Sequence, residues 1–89
     1  METDDLLEVF GGRDNLRLMC DAKRFRVTSG GCRVSFWVGD DIVRLQRGRY
    51  FEIRVQNRKT KETRSQHTTL YAENVRSKFE HFTGYSLGF

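Results

Sequence analysis

Between residues 24 and 56 arginine recurs at alternate positions within short apolar runs, and guanidinium groups held at fixed spacing are chemistry for oxyanions. Arg24/Arg26, Arg33/Ser35/Trp37, Arg44/Gln46 and Tyr50/Glu52/Arg54 share one parity, while Phe25/Val27, Cys32/Val34/Phe36/Val38, Val43/Leu45 and Phe51/Ile53/Val55 share the other. Period two marks a sheet with one face in a core and the other in water. The wet face then presents Arg24, Arg26, Arg33, Arg44 and Arg54 to phosphates, with Trp37 or Tyr50 stacking on a base. A second basic cluster, Arg58, Lys59, Lys61 and Arg64, reads as a hairpin finger able to follow a backbone or enter a groove. The competing readings are a solvated sheet face with cross-strand aromatic pairs, Trp37 packed beneath a helix, and a charged tip without a ligand.

Catalysis needs a convergent set of groups, and the inventory is thin: His67, His81, Cys20, Cys32, Asp40-Asp41 and scattered glutamates. His67 falls in the charged segment and His81 on the polar side of a helix, neither with a second ligand at metal spacing. Cys32 alternates toward the core as a small hydrophobe, and Asp40-Asp41 reads as a turn. The expectation is a non-enzymatic protein without metal or cofactor.

The elements that position the arginines follow from the turns. Strands are expected at about 24–28, 32–38, 42–46 and 50–56, divided by Ser29-Gly30-Gly31, Gly39-Asp40-Asp41 and Arg47-Gly48-Arg49. Links this short make neighbours antiparallel and the product a meander. Residues 57–69, without an aliphatic side chain, read as a long mobile charged hairpin tip with room for an edge strand near Arg64 to Thr68. Before the sheet, Thr3 caps a short helix with Asp4, Asp5 and Glu8 in its first turns, Leu6, Leu7 and Phe10 as its contacts and Gly11 or Gly12 as its end. Asp14 then caps a second short helix that buries Leu16, Met19 and Cys20. After the sheet, Tyr71, Val75, Phe79 and Phe82 form the stripe of a helix ended by Gly84, with Tyr85, Leu87 and Phe89 tucked behind it. That stripe is read as core, while Phe10, Tyr85 and Phe89 are also candidates for a dimer or docking contact. The predicted fold is α+β: a four- to five-stranded antiparallel meander on a C-terminal helix, with short N-terminal helical segments.

Eighty-nine residues suffice for one small domain and a single modest core. The net charge of +4 is unevenly spread: residues 1–14 carry five acids and one Arg, whereas residues 15–89 carry fifteen basic groups and seven acids. Such a field favours polyanionic partners without fixing the fold, and it raises the possibility that the N-terminal acids cover the basic face until a ligand displaces them. Met1 leads straight into an acidic segment and no run is apolar enough to span a bilayer, so a cytoplasmic protein with reduced cysteines and no membrane contact is expected.

Both ends of the chain resemble a family of small bacteriophage and prophage proteins. Gly11-Gly12, Met19, Ala22-Lys23 and Phe25 match its "GG…M.GAK.F" block, with Asp21 where the family has Gly. Tyr71-Ala72, Val75, Phe79, Thr83-Gly84 and Leu87 match its "VYA..L...F...TGL.LSL" ending. Between them Phe36, Val43, Leu45, Tyr50 and Ile53 follow the family's alternation, with Arg49 in place of an Asp. The resemblance implies a phage or mobile-element origin and a bacterial cytoplasm as workplace, and it carries no activity. The arginines at 33, 44, 54, 58 and 64 lie outside its pattern.

Three functions are compatible with these readings. One is an accessory protein binding nucleic acid with weak sequence selectivity through the Arg face and the basic loop. A second is a phage-encoded protein that uses the same face to inhibit a host protein with an acidic surface, for example a defence-system component. The third is a structural or dimeric virion accessory.

Overall fold

The alternation over residues 24–56 produces strands because its inward side chains are mostly β-branched, aromatic or aliphatic and the turns between them carry Gly. The computed structural model describes residues 5 to 88, the side chains of Asp5 and Ser29 excepted. Strands β1 (Lys23–Thr28), β2 (Arg33–Val38), β3 (Asp41–Arg47), β4 (Phe51–Asn57) and β5 (Thr63–Thr69) pair antiparallel in sequence order as a five-stranded meander. A 3-10 segment, Asp5–Phe10, and helix α1 (Gly12–Cys20) precede the sheet, and helix α2 (Ala72–Thr83) follows it. The expected α+β architecture is therefore present. Among the described residues no helix is long and apolar enough to cross a membrane.

The core lies between the inner sheet face and the helical layer. Val34, Phe36, Val38, Val43, Leu45, Ile53 and Val55 come from the sheet, Leu6, Leu7 and Phe10 from the 3-10 segment, and Val75 and Phe79 from α2; all are buried. Phe10 sits at their centre, its ring centroid 5.5 Å from that of Phe36 and 5.1 Å from that of Phe79. Offset and edge-on aromatic contacts of this kind add to the burial itself. The N-terminal segment from Leu6 to Phe10 is thus a core element on the inner face, away from the outward arginines. The capping expected of Thr3, the placement of Asp4 and the packing expected of Phe89 lie outside the described residues.

Gly84 ends α2 at φ 79°, its N–H donating to the Glu80 carbonyl, a left-handed cap that glycine adopts without strain. Beyond it Leu87 turns back into the core, its N–H donating to Glu80 Oε2 at 2.6 Å while Asn15 Nδ2 donates to the Leu87 carbonyl at 3.0 Å.

Several expectations need correction. The hairpin tip expected over residues 57–69 is shorter: Asn57 Oδ1 accepts from the N–H groups of Lys59 and Thr60 to close it, and the edge strand expected near Arg64 to Thr68 is present as β5, over Thr63–Thr69. Its inward residues are Ser65, His67 and Thr69, half-buried opposite Val55, Ile53 and Phe51, so His67 stands in a strand. Cys32 is exposed because β2 begins after it, at Arg33. Asp41 is not only a turn residue: it opens β3 with 7% of its surface exposed and pairs with Arg64. Gly11, not Asp14, is the N-cap of α1, and Asp14 lies in its first turn. Met19 falls off the buried stripe at 38% exposure, leaving Leu16 and Cys20 inside. Tyr71 is the exposed N-cap of α2, so the helix buries Val75 and Phe79 and only partly Phe82.

Candidate functional site

Strand register converts the sequence parity into rows that run across the outer face. One row is Arg26, Ser35, Arg44, Arg54 and Gln66, from β1 to β5. The adjacent row is Thr28, Arg33, Gln46, Glu52 and Thr68. Arg44 therefore faces Arg54 directly, and Arg33 is one row away. Among the described residues the side chains of Arg26, Arg33 and Arg44 have no hydrogen-bond or ion-pair partner. Arg54 leans toward Glu52, Nη2 to Oε2 at 3.7 Å, and Glu52 also accepts from the Gln66 amide. Arg33, Arg44, Gln46, Glu52 and Arg54 line a shallow hollow of about 280 Å³. A second hollow of about 220 Å³, bounded by Arg26, Thr28, Arg33, Ser35 and Arg44, adjoins it through Arg33 and Arg44.

The aromatic components separate. Trp37 faces outward in the row Lys23, Trp37, Ile42 and Gln56, but the guanidinium carbons of Arg24 and Arg58 lie over its ring, at 5.2 and 4.4 Å from the centroid. Cation–π contacts thus occupy the indole expected to stack on a base. Arg24 reaches it from a bulge between Lys23 and Arg26, with φ at 60°. Tyr50, in the β3–β4 turn, is exposed.

The basic finger also divides. Arg58 is turned back onto the β2–β3 turn, Nε donating to the Gly39 carbonyl at 3.1 Å and Nη2 lying 3.8 Å from Asp40 Oδ1. Arg64, the extra residue of the β4–β5 bulge, binds Asp41. Of this basic cluster Lys59 and Lys61 stand exposed at the tip, their side chains without a partner among the described residues. The structure therefore gathers Arg26, Arg33, Arg44 and Arg54, places Tyr50 beyond one end, and engages Arg24, Arg58 and Arg64 elsewhere.

The candidate residues drawn from the sequence left out two neutral donors, Gln46 and Gln66, which share the arginine rows, and Arg49, which is exposed in the turn beside Tyr50. The alternation itself contained the signal for Gln46. The pairing of Gln66 depended on recognising β5.

Among the described residues no three His, Cys, Asp or Glu side chains gather as a metal site. Burial, with the Glu80 carboxylate nearby, pushes the Cys20 thiol from its ordinary 9.0 up to about 11, so it remains protonated and poorly nucleophilic near neutrality. Fold and face together define an α+β meander domain with a basic outer sheet surface. Comparison with protein-family models, curated proteins and solved structures returns no match for this chain.

Proposed function

We propose that this chain is a non-enzymatic phage or mobile-element accessory protein that binds nucleic acid through its outer sheet face. The observation that carries the reading is the cluster of Arg26, Arg33 and Arg44, whose side chains have no anionic partner among the described residues, on a face whose register sets Arg44 against Arg54. Like charges directly opposite destabilise a sheet. None of these side chains supports the core, so an external polyanion is what the arrangement serves. The phage origin rests on the glycine-rich and Tyr-Ala-to-Thr-Gly blocks at the two ends of the chain.

Binding draws its affinity from release of condensed counterions and is weakly sequence-selective, because guanidiniums on phosphates fix position without reading bases. The test is fluorescence anisotropy of labelled oligonucleotides at about 50 and about 200 mM salt, the range over which phosphate contacts weaken strongly. The double variant Arg33→Ala/Arg44→Ala should reduce the magnitude of the log–log salt slope by about 1.4 to 1.8, the value for two lost phosphate contacts. An unaltered slope, or no binding at the lower salt, overturns the proposal.

One observation favours a second reading. Glu52 already lies beside Arg54 in the hollow shared with Arg33 and Arg44, which shows that a carboxylate fits there. A host protein with an acidic surface would use the same contacts, and pull-down from nuclease-treated host lysate would recover it in stoichiometric amount.

A further inference from the structure

The arginine hollows do not end at β4. Gln46 and Glu52, which wall the central hollow, also wall a third one of about 310 Å³ completed by Gly48, Arg49, Tyr50 and Thr68. One shallow track therefore runs from Arg26 on β1, past Arg33, Arg44 and Arg54, to Tyr50 in the β3–β4 turn. Tyr50 is 55% exposed. Phe51 pairs with Thr69, so Leu70, itself 60% exposed, stands at the same end of the sheet as Tyr50. The track thus joins a cationic stretch to an uncovered aromatic and aliphatic end.

We infer that the track takes nucleic acid as a single strand, with phosphates on Arg26, Arg33 and Arg44 and one base stacked on Tyr50; this rests on the nucleic-acid reading proposed above. A phenol ring stacks only on a base whose face is free, and bases inside a duplex cover one another's faces. Duplex readout uses an element that enters a groove, and the candidate finger has its root arginine fastened to Gly39 and Asp40. Trp37 cannot share the stacking while Arg24 and Arg58 occupy its ring. Crossing from β1 to β4 covers about 14 Å at roughly 4.8 Å per strand. That span accommodates about four nucleotides at the stacked spacing of roughly 3.4 Å along one strand.

The experiment titrates the intact protein into labelled oligothymidylate and into the same strand annealed to oligoadenylate, with wild type, Tyr50→Ala and Tyr50→Phe. Single strand should bind more tightly than duplex. Tyr50→Ala should weaken single-strand binding by about 5- to 150-fold, as loss of one stacked base does, with duplex binding changed little and Tyr50→Phe close to wild type. Circular dichroism checks that the Ala variant is folded, and the Phe variant keeps the test decisive if it is not. Equal binding of both forms, or a Tyr50→Phe loss as large as that of Tyr50→Ala, overturns this inference and leaves the Arg-face proposal standing. No binding of either form at low salt overturns both.

Discussion

Arg44 on β3 stands directly opposite Arg54 on β4, two cations in cross-strand register at the middle of the outer face. Glu52 lies 3.7 Å from Arg54 and relieves part of the repulsion, while Arg44 has no anionic partner among the described residues. Replacing Arg44 by Gln should therefore stabilise the fold by about 0.2 to 1 kcal/mol, the range for a cross-strand pair. The gain should shrink with added salt, since the charges are exposed and screened over about 10 Å at 0.1 M. The same variant should bind oligonucleotides less tightly. Urea denaturation at two salt concentrations, beside the anisotropy titration, checks both; stability and binding falling together would show that Arg44 serves packing.

The β4–β5 bulge turns Arg64 toward Asp41, and this pair closes one end of the sheet. Asp41 is nearly buried, and its Oδ1 makes no hydrogen bond. Arg64→Ala would leave that carboxylate without its cation, at a cost of about 1 to 3 kcal/mol for a buried group deprived of a partner. Arg64 is itself half-exposed, so the upper end of that range is not expected. Asp41→Asn in the Arg64→Ala background should recover part of the loss by removing the stranded charge. Chemical denaturation of Arg64→Ala, Asp41→Asn and the double variant measures it, and an additive double variant would mean that the two side chains do not interact.

The parity of residues 24 to 56 was legible because each inward residue is apolar and each turn carries Gly or Asp, so the face shared by Arg33, Arg44 and Arg54 followed from period two alone. Their adjacency was not, because it depends on register, which closing two residues, Gly39 and Asp40, between β2 and β3 sets. β5 was legible only as room for an edge strand near Arg64 to Thr68, because an edge strand needs only backbone pairing, and Ser65, His67 and Thr69 give no hydrophobic signal to fix its bounds at Thr63–Thr69. The covering of Trp37 escaped for a different reason: Arg58 lies far along the chain and reaches the indole only once β3 and β4 are paired. Cys32 shows how a single residue of strand boundary moves a side chain from core to solvent.

The two cysteines should react at very different rates. Cys32 is exposed, whereas Cys20 is buried with its thiol pushed up to about 11 by burial and then by Glu80. At about pH 8 a thiol reagent should label Cys32 rapidly in the native protein and Cys20 only on unfolding, as mass spectrometry of the labelled chain would show. Cys20 also contributes a pH dependence. Its folded pKa is raised, so the native state binds the proton more tightly than the unfolded one, and the contribution is complete below 9.0. It is then lost as pH rises from 9.0 toward about 11. Stability should fall more steeply over that window in the wild type than in Cys20→Ala. Parallel slopes would remove Cys20 from the account.

Trp37 is the single tryptophan of the chain, so its fluorescence reports the guanidinium contacts directly. Arg58 holds its position through the Gly39 carbonyl and Asp40 while lying over the indole at 4.4 Å, which fixes a β4–β5 hairpin residue against β2. Arg58→Ala should expose the ring, shift its emission to the red and raise its quenching by iodide, at a stability cost of about 0.5 to 1 kcal/mol for an accessible cation–π contact. Arg24→Ala should act in the same direction with a smaller effect, since that guanidinium lies farther from the centroid, at 5.2 Å. Oligothymidylate added to the wild type should leave Trp37 emission nearly unchanged if, as proposed, the stacked base goes to Tyr50. Strong quenching of Trp37 by the oligonucleotide would mean that Arg24 and Arg58 yield the indole to the ligand, and the binding track would then have to be redrawn toward β1 and the β2–β3 turn.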